Sequence, residues 1–145
     1  MDIVFVCTGN TCRSPMAEGM FRVLGGEEKL GLRAASAGLF VHEGMSATQY
    51  AVEAMKEYGA DLSGHHARQI TAEIVEQAKY LFCATAAHYD HLLQMFPEAE
   101  HKIYLLMQTD LNDPFGGSLQ TYRNCAAQLN EGIKMLIGQL EEKNA

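Results

Sequence analysis

Residues 3–15 of the chain read IVFVCTGNTCRSP, an apolar run followed by a polar loop and a Ser-Pro pair. Residues 3–6 are β-branched or aromatic without polar alternation, which is typical of a strand buried on both faces of a sheet. Ser14 and Pro15 predict a helix start, with Ser14 as the N-cap and Pro15 at the first helical position, where a missing N–H costs nothing. The stretch therefore predicts a strand, a loop and a helix in succession.

Short apolar runs alternate with helical patterns along the rest of the chain. Further strands are predicted at residues 32–37, 80–83 and 103–106. Further helices are predicted at residues 51–58, 71–77, 87–96 and 118–145, with Thr71 as an N-cap. Strands that alternate with helices predict an α/β fold, in which a parallel sheet is covered by helices on both faces. In such sheets ligands bind beyond the carboxyl ends of the strands, which points to the loop after residue 6.

Length and charge limit the classes of function. A chain of 145 residues suits a single domain spanning residues 1–145, which needs neither a disulfide nor a metal for stability. The net charge of −7 argues against nucleic acid and anionic membranes as partners, since both attract a surplus of Lys and Arg. Four irregularly spaced cysteines, with no signal peptide or membrane span, predict a cytoplasmic protein that we expect to be monomeric.

The loop after the first strand carries the residues for phosphate chemistry. Cys7 and Arg13 stand six residues apart with Gly9 and Asn10 between them, and both intervening residue types tolerate left-handed backbone. Such a loop can turn its N–H groups inward as an anion site, to which the helix start and the Arg13 guanidinium contribute positive charge. We expect these surroundings to lower the pKa of Cys7 and make it a thiolate nucleophile.

Each of these residues also has an ordinary structural interpretation. A cysteine at a strand end is more often a small buried apolar residue, and Asp113 in the run Asn112-Asp113-Pro114 is typical of a turn. A phosphate-binding module without catalysis is a further alternative, although it would not need the nucleophile, the arginine and the aspartate together. Other candidates have only the structural interpretation: His88, His91 and Glu98 are predicted on a solvated face, and Cys83 and Cys125 in the core.

Several motifs together resemble those of the low-molecular-weight protein tyrosine phosphatase family. Residues 6–15 resemble its signature loop, and residues 36–38, 65–68 and 113–117 resemble its Ser-Ala-Gly, His-x-Ala-Arg and Asp-Pro elements in the same order. The resemblance runs along the whole chain. It implies a flavodoxin-like, three-layer fold with four parallel strands in the order 2-1-3-4. It also implies a protein phosphatase that uses no metal and no cofactor and acts on phosphorylated proteins.

The same resemblance implies roles for individual residues. Cys7 would attack phosphorus to form a phosphocysteine, Arg13 would hold the phosphoryl oxygens, and Asp113 would be the general acid and then the base. Ser14 would hydrogen-bond the sulfur, and oxidation would join Cys7 to Cys12 in a protective disulfide. The remaining implied roles are substrate binding by Thr8, Gly9, Asn10, Thr11, Cys12, Ser14 and Phe115, and support of the loop by Asn10, Ser36 and His65.

The choice of substrate depends on a few positions. Thr11 and the run Phe115-Gly116-Gly117 resemble the bacterial members that hydrolyse phosphoarginine, whereas tyrosine-specific members usually have a bulkier aliphatic residue in place of Thr11. Phosphotyrosine hydrolysis is the main alternative. Arsenate reduction is a weaker one, because it requires two further redox cysteines near the end of the third strand, and residues 84–91 contain none.

Overall fold

A four-stranded parallel sheet forms the centre of the computed structural model, which describes residues 1–143. The strands lie in the order β2-β1-β3-β4, which confirms the predicted α/β class and strand order. Their bounds are Ile3–Cys7 for β1, Ala34–Gly38 for β2, Tyr80–Cys83 for β3 and Ile103–Leu105 for β4.

Helices follow every strand. Their bounds are Arg13–Val23 for α1, Gly26–Leu30 for α2, Gln49–Lys56 for α3, Ala72–Gln77 for α4, Ala86–Met95 for α5 and Leu119–Lys143 for α6, with a 3-10 helix at Pro97–Lys102. No helix within residues 1–143 is long and apolar enough to cross a membrane.

The central strand β1 divides the core into two parts because its side chains alternate between the faces of the sheet. Ile3 and Phe5 pack with the buried faces of α1, α3 and α6. Val4 and Val6 pack on the other face with residues of α4 and α5. All five residues of β1 are buried, as predicted from a run without polar alternation.

The start of α1 differs from the prediction. The helix begins at Arg13, and Cys12 occupies the N-cap position without a side-chain hydrogen bond to the helix. The predicted N-cap, Ser14, is wrong because its hydroxyl bonds to a sulfur and an amide instead of to the helix backbone. At α4 the predicted cap is confirmed, since the Thr71 hydroxyl accepts a hydrogen bond from the N–H of Ile74.

Two further differences concern short or terminal segments. The five-residue helix α2 lies between Gly25 and Gly31, both in the left-handed region, and was not predicted. The long final helix was predicted to reach residue 145, and its last two residues, 144 and 145, lie outside the described residues.

Register places the ends of three strands side by side. Cys7 at the end of β1 pairs with Gly38 at the end of β2, and the preceding Val6 pairs with Cys83 at the end of β3. The loops that follow these strands therefore meet at one edge of the sheet, where the predicted catalytic loop begins.

Candidate active site

The loop from β1 into α1 forms a cradle, the name used here for residues 7–14. Asn10 lies in it with a left-handed φ of 57°, a conformation that Asn tolerates better than other non-glycine residues. Several of its amide N–H groups have no protein acceptor within residues 1–143: those of Thr8, Gly9, Thr11, Cys12 and Arg13. Successive unpaired N–H groups at the start of a helix make a site for an anion.

A glycine in β2 lets the cradle lie close to the sheet. A Cβ atom at Gly38 would come within 2.5 Å of the Thr8 carbonyl oxygen and 3.0 Å of the Asn10 nitrogen. Any other residue would therefore push the loop outward. This contact explains why the neighbouring strand ends in glycine.

Asn10 connects the cradle to its surroundings. Its side-chain amide donates to the Ser14 hydroxyl at 2.7 Å and to the Ser36 hydroxyl at 2.9 Å. Its side-chain oxygen accepts from the Arg68 N–H at 2.9 Å, and its backbone oxygen lies 2.7 Å from Nε2 of His65. Asn10, Ser14 and Ser36 are all buried. The structure thus brings together the residues expected to support the loop.

The sulfur of Cys7 lies at the bottom of the cradle. It is 2.9 Å from the Ser14 hydroxyl. Burial is the largest influence and raises the pKa of Cys7, while the Ser14 hydroxyl, the amides of Ser14 and Asn10, and the Arg13 charge all lower it. The expected lowering of this pKa is therefore wrong in direction. The groups that favour the thiolate are present, but the sequence does not show how completely the sulfur is removed from water.

Arg13 extends from the first turn of α1 beneath a second loop. The residue is 7% exposed, and its guanidinium donates to the Leu111 carbonyl oxygen at 3.3 Å. The same guanidinium lies 3.6 Å from a carboxylate oxygen of Asp113. The Cys7–Arg13 loop and the distant Asp-Pro motif are therefore neighbours, although about 100 residues separate them.

Asp113 lies on what we call the acid loop, residues 110–118 between β4 and α6. Its side chain is 58% exposed. One carboxylate oxygen accepts from the N–H of Phe115, and the N–H of Gly117 donates to the Pro114 carbonyl oxygen in a turn. Gly116 has a φ of 79°, which favours glycine at this position. An exposed carboxyl group beside a buried arginine is suited to exchange protons with a bound substrate.

A cleft of about 260 Å³ opens above the cradle. Cys7 and Arg13 form its floor together with the predicted residues Thr8, Gly9, Thr11 and Cys12. Asn10 and Ser14, predicted to bind substrate with their neighbours, do not line the cleft. They are buried behind it and act on the loop.

The walls of the cleft are apolar. Phe115, which was predicted there, is 69% exposed, and Phe40 and Met45 are 66% and 52% exposed. Phe40, His42 and Met45 were missed, because loop residues after β2 show no periodic pattern. For Phe40 and Met45 the one signal is that large apolar side chains occur in a segment that also contains Gly and Ser.

The second cysteine of the cradle has partners of its own. The sulfur of Cys12 lies 3.4 Å from the Tyr122 hydroxyl and 3.6 Å from the Thr48 hydroxyl. Burial raises the pKa of Tyr122 to about 12, so this hydroxyl stays protonated near neutral pH. Cys7 and Cys12 are both free thiols in the structure.

Other candidate residues lie outside the cleft. Cys83 and Cys125 are buried as predicted, and burial raises the pKa of each to about 12. The prediction that His88 lies on a solvated face is wrong, because the residue is 6% exposed and its ring lies against Thr8. His91 is partly exposed and contacts the Phe40 ring, with ring centroids 5.0 Å apart.

Known proteins resemble this chain along nearly its whole length. A sequence model of the family described as low molecular weight phosphotyrosine protein phosphatase matches residues 2–145. A protein-arginine-phosphatase from Bacillus subtilis (strain 168) is 37% identical over 98% of this chain and 98% of its own length.

Two solved structures show the same similarity in three dimensions. A mutant of the YwlE arginine phosphatase with a phosphorylated active site serine is 37% identical with a TM-score of 0.91, over 97% of this chain and 95% of its own. A low molecular weight protein tyrosine phosphatase from T. tengcongensis is 39% identical with a TM-score of 0.89, over 96% of this chain and 99% of its own.

Proposed function

Because the chain belongs to the low molecular weight phosphotyrosine protein phosphatase family and is a protein phosphatase, we propose that its substrates are proteins phosphorylated on arginine. The observation that carries this choice is the match to a protein-arginine-phosphatase over 98% of both chains. Thr11 in the cleft supports it. Its β-branched side chain lines the same cleft as Cys7, and its hydroxyl offers a polar partner to a guanidinium group.

The first step transfers the phosphoryl group to sulfur. The unpaired amides of the cradle and the Arg13 guanidinium bind the three phosphoryl oxygens, where the charge of the transition state lies. Cys7 attacks phosphorus in line as the thiolate, the form that the Ser14 hydroxyl, the cradle amides and Arg13 favour against the burial that raises its pKa. An S–P bond forms as the P–N bond of phosphoarginine breaks. Asp113 donates a proton to the departing nitrogen, which leaves as a neutral or protonated guanidine group.

The second step releases phosphate. Asp113, now a carboxylate, takes a proton from a water molecule that attacks phosphorus, and the S–P bond breaks as the new P–O bond forms. Cys7 leaves as a thiolate. The Ser14 hydroxyl at 2.9 Å and the amides of Ser14 and Asn10 stabilise that charge on the largely buried sulfur.

The thiol chemistry of the site bears on the compartment in which the protein acts. A cysteine nucleophile with a second thiol in the same loop remains active where thiols are kept reduced, which supports action in the cytoplasm. We propose that the protein acts there as a monomer, because one chain supplies the nucleophile, the phosphate site and the acid.

Phosphotyrosine is the second candidate substrate group. The T. tengcongensis tyrosine phosphatase is 39% identical to this chain, and the exposed rings of Phe40 and Phe115 at the cleft would suit a phenyl ring. The phosphoarginine and phosphotyrosine hypotheses have the same chemical steps and differ only in the atom that leaves phosphorus, which is nitrogen in one and oxygen in the other.

Matched phosphoarginine and phosphotyrosine peptides separate the two hypotheses. We expect kcat/KM of the reduced protein to be at least about tenfold higher on phosphoarginine. The preference should reverse in Thr11→Ile, because this change replaces the hydroxyl with a larger ethyl group, and a single methylene already changes selectivity by roughly 10–200-fold. Thr11→Val is the matched control: it keeps the β-branched shape and replaces only the hydroxyl with a methyl group.

Two results would contradict the proposal. A wild-type preference for phosphotyrosine rejects arginine as the substrate group. Retention of activity in Cys7→Ser, for which we expect a loss of at least about 10⁴-fold, rejects the covalent mechanism itself.

A further inference from the structure

His88 is a buried histidine to which the proposed reaction assigns no role. It lies in the first turn of α5, where its N–H donates to the Thr85 hydroxyl that caps the helix. The residue is only 6% exposed. Histidine is rarely placed inside a core without a polar partner, because burial of an unpaired polar group is unfavourable.

The partner of His88 is the first residue after the nucleophile. Nε2 of the ring lies 2.8 Å from the Thr8 hydroxyl oxygen. Nδ1 is buried and has no hydrogen-bond partner within residues 1–143. A neutral imidazole has one N–H and one lone pair, so it can make the bond to Thr8 and leave a single site unpaired.

Burial keeps the His88 ring neutral, and the charges around it act in both directions. Burial is the largest influence and lowers the pKa of His88 to about 4, and the nearby charge of Arg13 on α1 acts in the same direction. Asp113 and Asp110 on the acid loop raise this pKa, and His91 on the same helix lowers it. Near neutral pH a hydrogen bond to Thr8 therefore forms without adding a second positive charge beside Arg13.

The bond completes a two-sided attachment of the cradle. On the β2 side, Asn10 is held by Ser36, His65 and the Arg68 backbone. On the β3 side, His88 holds the Thr8 side chain. The Thr8 carbonyl oxygen also accepts from the N–H of Phe40, which fixes the other end of the same residue.

We propose that His88 is a positioning residue for phosphoryl transfer. By holding the Thr8 hydroxyl it keeps the unpaired N–H groups of Thr8 and Gly9 directed at the phosphoryl oxygens. This inference rests on the proposed phosphatase reaction at the cradle and extends it to a residue of the neighbouring strand–helix unit. A displaced amide would weaken phosphate binding and lower the rate, since a misplacement of about 1 Å can reduce rates by as much as 10²-fold.

Variants at both ends of the bond test the proposal. The probes are inorganic phosphate, whose dissociation constant is measured calorimetrically, and para-nitrophenyl phosphate, for which kcat and KM are determined separately. We expect His88→Ala and Thr8→Val each to lower kcat and weaken phosphate binding by about tenfold. His88→Gln, which can place an amide group near the former Nε2, should restore most of both. The double variant should be no worse than either single variant, since both remove one bond.

Leu92→Ala is the control for a merely structural role. Leu92 is fully buried on the same helix and is not part of the cleft, so its truncation loosens α5 without removing the bond to Thr8. We expect reduced thermal stability with normal phosphate affinity. An equal loss of phosphate affinity in Leu92→Ala and His88→Ala would overturn the proposal, and so would wild-type kcat and phosphate affinity in His88→Ala.

The design keeps two failures apart. If the wild-type protein prefers phosphotyrosine peptides, the proposed substrate is wrong while the His88 result stands, because neither probe depends on the peptide. If Thr8→Val, which replaces only the hydroxyl with a methyl group, binds phosphate and turns over like the wild type, the positioning role is wrong whatever the substrate.

Discussion

The cradle and the acid loop face the same cleft but are built in opposite ways. In the cradle, Cys7, Asn10 and Ser14 are at most 3% exposed and are joined by hydrogen bonds of 2.7–2.9 Å. In the acid loop, by contrast, the Asp113 side chain and the residue Phe115 are each more than half exposed. The buried loop can hold a phosphoryl group in one geometry, and the exposed loop can exchange protons with substrate and water.

This contrast between a buried cradle and an exposed acid loop indicates which part of the site must be rigid during the two-step transfer of a phosphoryl group. Phosphoryl oxygens occupy the same positions in both steps, so the amides that bind them can be fixed in advance. The group that Asp113 protonates leaves, and water enters in its place. The exposed Asp113 carboxyl group, 3.6 Å from Arg13, can therefore give a proton to the leaving group and later take one from water.

The largest expected effect separates catalysis from stability at the acid loop. We expect Asp113→Asn to lower kcat by about 10²–10⁴-fold, because a positioned acid and base is lost. The free energy of unfolding should change by less than about 1 kcal/mol, since the carboxylate is largely exposed. Steady-state kinetics and urea unfolding on the same preparation check both. A loss of stability comparable to that of a core variant would contradict the contrast between the two loops.

The next effect concerns the cradle itself. Asn10→Ala should lower the free energy of unfolding by about 2–4 kcal/mol, because it leaves the buried Ser36 hydroxyl and the Arg68 N–H without their partner. Asn10→Gly is the matched variant: it loses the same bonds but tolerates the φ of 57°. It should be about 1 kcal/mol more stable than Asn10→Ala. Equal stability of the two variants in urea would show that the left-handed backbone is not strained.

A pH dependence follows from His88. Its pKa is about 4 in the folded protein, below the ordinary value of 6.5, so the unfolded chain binds more protons between these two values. Stability should therefore fall as pH decreases through this window, by at most about 3 kcal/mol from this residue. His88→Gln should remove that part of the slope. Parallel pH–stability curves for the wild type and His88→Gln would contradict the assignment.

The smallest expected effect is on stability at Phe115. The residue is 69% exposed, so Phe115→Ala should change the free energy of unfolding by less than about 0.5 kcal/mol. Its loss from the wall of the cleft should raise KM for phosphopeptides and leave turnover of small phosphate esters little changed. Peptide and ester kinetics measured side by side decide the point, and a drop in kcat for both would place Phe115 in the chemical step.

Much of the fold could be predicted from the sequence. Residues 3–6 form an uninterrupted apolar run because both faces of the strand are buried. Such a run can be recognised from the sequence alone. The short helix α2 was missed, because five residues are too few to show a helical period. The N-cap at Ser14 was wrong for a different reason: its hydroxyl had better partners in Cys7 and Asn10 than the helix backbone.

The candidate site was predictable as far as its motifs extend. Cys7, Arg13 and Asp113 lie in recognisable runs, and the structure brings them to one cleft. Two properties could not be read from the sequence. Burial of the Cys7 sulfur, which raises its pKa, depends on the packing of the whole loop. The contact between His88 and Thr8 joins residues 80 positions apart, and nothing in the local pattern of α5 distinguishes a buried histidine from a solvated one.

The most direct test of the account is to trap the phosphorylated cradle. Asp113→Asn protein is mixed with a phosphoarginine peptide and denatured at neutral pH within one turnover, and its own peptides are analysed by mass spectrometry. Because the base for the second step is missing, we expect one phosphoryl group on the peptide that contains Cys7, and none in Cys7→Ala/Asp113→Asn, which has no nucleophilic atom at position 7. Release of phosphate from the peptide without any phosphoryl group on Cys7 would contradict transfer through this cysteine.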